Sequence, residues 1–162
     1  MTIIETTLRI IAIGVIATFI LDLFNWARAK FANIPSLNFA LVGRWVLWMT
    51  KGKFQHNTII DSPAMRHEAV IGWTIHYVIG VAFAACLLLF PGRWLETVSF
   101  MPALTVGVLG VIAPFFIMQP AFGMGIAASK TPAPWTARQR SLISHFVFGV
   151  GLYIGGILVS QI

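Results

Sequence analysis

Hydrophobic positions in this chain do not alternate with polar ones; they gather into four long blocks. The blocks run over Leu8–Ala27, Ala69–Phe90, Phe100–Met124 and Leu142–Ile162. A bilayer core of about 30 Å takes roughly 20 helical residues to cross, and each block is long enough. Val/Ile-rich runs of this length lack the period-two alternation of a membrane β-strand, so helix is the expectation for all four. The fold class that follows is all-α: an integral membrane bundle of four transmembrane helices. It forms a single transmembrane domain over residues 1–162, with loops 28–68 and 125–141 on one side of the membrane.

The pattern changes between Pro35 and Gly52. There Leu37, Leu41, Trp45 and Trp48 recur at helical spacing beside Arg44 and Lys51. Tryptophan and basic residues on an amphipathic stretch predict an interfacial helix in this first loop. An irregular loop with tryptophan anchors is the other reading of the same residues.

Composition agrees with a bilayer and excludes other classes. Hydrophobic residues make up 58% of the chain and charged residues only 10%, against about 25% charged in an ordinary soluble domain. That excludes a soluble globular domain and a disordered chain. Cys86 is the one cysteine, which excludes a disulfide scaffold. The first block does not read as a cleaved signal, because its leader carries Glu5, its apolar run is too long and no small-residue cleavage site follows.

The net charge of +6 is unevenly placed. Arg28, Lys30, Arg44, Lys51, Lys53 and Arg66 fall in the first loop and Lys130, Arg138 and Arg140 in the second, leaving Arg9 and Arg93 on the other side. The positive-inside rule puts both loops in the cytoplasm and both termini outside. The expected partner of the basic face is a bilayer with anionic headgroups, and no nucleic-acid recognition motif accompanies the charge.

The spans echo one another. His76, Gly80 and Val81 in the second share a string with His145, Gly149 and Val150 in the fourth, and Gly14–Ala17 in the first matches Gly110–Ala113 in the third. The echo suggests a duplicated two-helix hairpin with both copies in one orientation.

Ionisable and polar side chains inside spans are costly, about 3 kcal/mol for a central Asp on insertion scales, and therefore informative. Asp22, His76, Gln119 and His145 all lie within about two helical turns of the cytoplasmic interface, and we expect them to form one intramembrane polar site. Gly14 and Thr18 share the face of Asp22, Gly72 and Gly80 that of His76, and Gly149 that of His145. Such small residues let helices approach and should turn these faces inward. The bland reading is that each histidine donates to a neighbouring carbonyl and Asp22 pairs with a loop arginine. Arg44, His56, Glu68, Ser129 and Lys130 are expected at the cytoplasmic rim, with Glu68 solvated or, on the other reading, supporting His76 from behind. The glycines near Ser129 and Lys130 faintly resemble a phosphate loop, but no strand precedes them and no glycine precedes the lysine, so they are assigned to a turn.

His76 and His145 also suggest axial ligation of haem b, or a share in a metal site. No HExxH, CxxC, carboxylate pair or Ser/His/Asp arrangement is present, so an enzyme is the least supported class. A small transport or channel-type protein for a proton, cation or small solute is preferred, as a homodimer or with a partner membrane subunit. A module that binds lipid or a partner without catalysis is the third reading.

Several strings carry a resemblance. Ala17-Thr-x-x-x-Asp22, Gly43-Arg-Trp45, Gly52-x-Phe54-x-His56, Gly72-Trp-x-x-His76-Tyr, Gln119-Pro followed by Ala127–Pro132, and Ser141-Leu-x-x-His145-x-x-x-Gly149 together resemble an uncharacterised bacterial membrane family, domain of unknown function 2938. The resemblance spans nearly the whole chain and implies an integral bacterial membrane protein with about four spans; the bacterial inner membrane is the expected location. It implies no catalytic role for any residue.

Overall fold

The computed structural model describes residues 1–90 and 94–161. Arg93, expected opposite the basic loops, and Ile162, expected to end the fourth span, lie outside the described residues.

Every regular element among the described residues is helical. Helix α1 runs Ile3–Ala32, five residues earlier and five later than its apolar block, because both ends are capped. The Thr2 hydroxyl accepts from the Glu5 amide, and Asn33 closes the helix in the left-handed region with its own N–H on the Arg28 carbonyl. Helix α2 covers Phe39–Met49, the stretch where the tryptophan spacing predicts a helix, and the Asn38 side chain caps it through the Ala40 amide. Helix α3 is Glu68–Ala85 and tightens into a 3-10 turn over Cys86–Leu89.

The third span is broken. Helix α4 covers Phe100–Leu109, a wide π-turn takes Pro114–Met118, and α5 is the short turn Gln119–Ala121. Proline explains the break. Pro120 has no N–H to give the Phe116 carbonyl, and the ladder widens so that the Gln119 amide reaches back to the Pro114 carbonyl. Helix α6 spans Pro134–Ser160, starting eight residues before its apolar block; its first turns are polar and exposed.

Four stretches are long and apolar enough to cross a membrane: Ile3–Ala32, Glu68–Leu89, Phe100–Ala121 and Pro134–Ser160. Their outer faces carry exposed large apolar side chains, including Val15, Phe19, Leu23, Val78, Ile112, Phe146 and Leu158. A polar solvent would not tolerate so much apolar surface, and the four helices are compatible with a multi-pass membrane protein.

The chain divides into two compact units. The first comprises Met1–Ser36, Tyr77–Gly110 and Ile143–Ile162. Its core centres on Ile13, Ala17, Leu87, Ala103 and Leu152, and it is held by close backbone approach. A side chain at Gly14 would meet the Val81 backbone, and one at Gly107 would meet Gly149. The second unit comprises Leu37–His76 and Val111–Leu142, around Val42, Ile59, Ala121 and Phe122.

Candidate functional site

The polar groups sort by unit. Asp22 and His145 belong to the first, His76 and Gln119 to the second.

In the first unit, Asp22 on α1 accepts a hydrogen bond from the Tyr77 hydroxyl of α3 at 3.0 Å. The two helices approach closely enough for this because Gly14 and Gly80 lie at their crossing. Buried Thr18 does not turn to Asp22; its hydroxyl donates to the Gly14 carbonyl one turn back, at 2.8 Å. The His145 ring lies against Gly110.

The second unit is organised by an ion pair. Arg44 of α2 grips Glu68 at the start of α3 with two parallel bonds, Nε to Oε2 and Nη2 to Oε1, both 2.8 Å. Arg44 Nη1 also donates to the carbonyls of Ile59, Ile60 and Ser62, and the Met65 amide donates to Glu68 Oε2. The side chains are 13% and 16% exposed. Glu68 is therefore not the solvated rim residue its place in an Arg-His-Glu run suggests, and the hydrogen bond to it raises the Arg44 pKa above the ordinary value despite desolvation. The pair forms because α2 and α3 touch backbone to backbone: Gly43 abuts the Glu68 carbonyl and Gly72 the Phe39 carbonyl. That contact also stacks the His76 ring on Phe39, with centroids 3.9 Å apart, and sets Trp73 edge-on to it.

His56 is 3% exposed and is fixed by its own backbone N–H on the Ala121 carbonyl, at 2.8 Å. The Ile59 amide binds the Phe122 carbonyl, so residues 56–59 run along the turn that leaves the third span. Gly123 makes this possible: its φ of +84° and lack of a side chain let the backbones of His56 and Asn57 pass against it. His56 Nδ1 lies 2.7 Å from the Ser62 hydroxyl, which also lies 3.2 Å from the Thr58 carbonyl. The tautomer of the ring sets whether Nδ1 donates or accepts in that contact, and Nε2 takes the opposite role. Nε2 is buried and has no hydrogen-bond partner among the described residues. Burial first, and the Lys53 charge second, lower the His56 pKa, which keeps the ring neutral.

Gln119 poses the same problem. It is 4% exposed, and its amide nitrogen reaches the Ser141 hydroxyl at 3.3 Å. Its Oε1 is buried without a partner among the described residues. Two buried polar atoms in one unit are thus without a partner among the described residues, each at a desolvation cost of about 1–3 kcal/mol. Ser129 and Lys130 belong to the following turn, where the Lys130 amide binds the Met124 carbonyl and Arg138 braces the Ala127 carbonyl.

Sequence spacing singled out Asp22, Gln119 and the small-residue faces as candidates. It missed Tyr77 as the partner of Asp22, although a hydroxyl next to His76 was a usable signal. It also set His56 at the rim, since no hydropathy pattern marks a loop histidine as buried.

A family model described as Protein of unknown function (DUF2938) matches residues 11–159. No curated protein and no solved structure matches the chain.

Proposed function

We propose that this chain, which belongs to the DUF2938 family of proteins of unknown function, is a small transport-type protein that takes a cation, a proton or a small hydrogen-bond-donating solute. The observation that carries the reading is the pair of buried polar atoms with no partner among the described residues, His56 Nε2 and Gln119 Oε1, in one compact unit. Buried polar atoms in native proteins are nearly always satisfied, so an open acceptor such as Gln119 Oε1 is matched by something that donates or is positive. Asp22, a carboxylate inside a span, supplies the charge such a solute needs in the first unit. The broken third span supports the same reading, because irregular backbone at membrane depth is tolerated beside a polar cavity or within protein. The setting is the bacterial inner membrane, with the basic loops on the cytoplasmic side.

The test is flux into liposomes holding the purified chain, using protons, potassium and methylammonium as separate probes. We expect uptake of at least one probe above empty liposomes, reduced about tenfold or more by Gln119→Leu and by Asp22→Asn, since a lost hydrogen bond to a charged partner is worth about 1.5–3 kcal/mol. Uptake of all three at the level of empty liposomes, or unchanged in both variants, overturns the reading.

A further inference from the structure

The second unit also carries an open groove of about 410 Å³ that the transport reading does not use. Its walls include Trp45 and Met49, one turn apart on α2, then Phe54 and Gln55, and Phe116 and Ile117 from the π-turn. Phe54, Phe116 and Ile117 are all exposed, and the last two lie in a stretch of membrane-crossing length. The widened turn made by Pro114 and Pro120 presents these side chains beside α2.

Two cations gather on Trp48, the α2 residue that precedes the wall residue Met49. The Lys51 and Lys53 ammonium groups lie 5.2 and 5.4 Å from the centre of the Trp48 ring. That ring is itself anchored, its Nε1 donating to the Pro63 carbonyl at 3.2 Å. Lys53 directly precedes Phe54, and Lys51 follows Met49 by two residues, so both lysines flank wall residues. Arg44 is committed to Glu68 and to three carbonyls and is not available for a ligand. Two cations held over one indole lose less side-chain freedom on meeting an anion than free lysines do.

We propose that the groove seats one acyl chain of an anionic phospholipid, with the lipid phosphate between Lys51 and Lys53. The apolar wall takes the chain, and the lysine pair selects net negative charge over a zwitterionic headgroup. Each lysine near an anionic membrane surface contributes enough for the pair to give a preference of about tenfold.

The experiment uses the full chain in phosphatidylcholine vesicles containing chain-brominated phosphatidylglycerol or, separately, chain-brominated phosphatidylcholine. Tryptophan quenching is read for the parent and for Trp45→Phe, and the difference reports the groove. Phosphatidylglycerol should quench Trp45 at about one-tenth the mole fraction that phosphatidylcholine needs, and a joint Lys51→Gln/Lys53→Gln variant should erase that advantage. Should Trp45→Phe fail to fold, native mass spectrometry of the parent and the lysine variant from equal mixtures of the two lipids reads the same preference. Equal quenching by the two lipids, or a preference that survives loss of both lysines, overturns the proposal. Displacement of the phosphatidylglycerol effect by inorganic phosphate overturns it too, by making the site one for a soluble anion.

Discussion

Replacing Glu68 by glutamine tests whether the Arg44–Glu68 pair holds the second unit together. The substitution keeps the shape and removes the charge, leaving a guanidinium 13% exposed with only carbonyl and amide acceptors. Breaking a buried ion pair by removing one partner costs about 3–5 kcal/mol. The remaining exposure of both side chains admits water, and we place the loss at about 2–3 kcal/mol. For a chain of this size about 2–4 °C accompanies each kcal/mol, so the apparent Tm should fall by about 5–10 °C. The assay is intrinsic-fluorescence unfolding in detergent, at one scan rate for all variants. A second variant separates mechanism from mere damage. Arg44→Met/Glu68→Leu removes both charges, and apolar replacement of a whole buried pair is often neutral. It should lie above Glu68→Gln in Tm, though below the parent, because the carbonyls of Ile59, Ile60 and Ser62 lose their donor. High salt should leave the ranking intact, since buried pairs are little screened. A Tm for Glu68→Gln within about 1 °C of the parent, less than 1 kcal/mol on this scale, would refute the reasoning.

Three further outcomes follow from the same geometry. Gln119→Leu removes a buried open acceptor, so its Tm should equal or exceed the parent's while flux falls; a lower Tm would make Gln119 a structural residue. His56 is held neutral with a lowered pKa, so the unfolded chain takes up its proton first as pH falls below about 6.5. Stability should therefore decline from there down to the folded pKa, measured by unfolding at stepped pH, and His56→Gln should flatten that part of the profile. Gly43→Ala and Gly72→Ala each push a methyl into a carbonyl of the facing helix and should cost about 1–3 kcal/mol or more in unfolding, whereas Gly52→Ala, with open space around it, should cost about 1 kcal/mol or less for its left-handed backbone.

The four spans and α2 were legible because their signals are local: apolar length for the spans, tryptophan spacing and an Asn cap for α2. The helix ends were less so, since Thr2 and Asn33 extend α1 by capping well past the point where hydropathy falls. The site was legible only in part. Asp22 and Gln119 announce themselves as polar residues in apolar runs, but His56 is buried by a backbone pairing with residues 121 and 122, far along the chain. Glu68 was misjudged for a similar reason. Its neighbours in sequence are charged and exposed, while its true partner lies 24 residues away across a glycine contact.

The echo between the hairpins separates packing from chemistry. Aligning His76 with His145 sets Gly80 on Gly149, and in the first unit each glycine sits where the preceding span comes closest, Gly80 at Gly14 and Gly149 at Gly107. The packing device repeats. The polar pair does not, for the residue after His76 is Tyr77 and the residue after His145 is Phe146. The counterpart of Asp22 is likewise apolar: Met118 if Gly14 is matched to Gly110 by sequence, Phe115 if it is matched to Gly107 by contact. Carboxylate and hydroxyl are thus missing together from the second hairpin, as expected of two groups joined by a hydrogen bond. A frame that repeats around a pair that does not is hard to attribute to helix packing alone, because the second hairpin packs without it. That asymmetry makes Asp22 and Tyr77 the first residues to vary in a flux assay. Tyr77→Phe, which keeps the ring and deletes the 3.0 Å bond to Asp22, is the change that separates the chemistry from the frame.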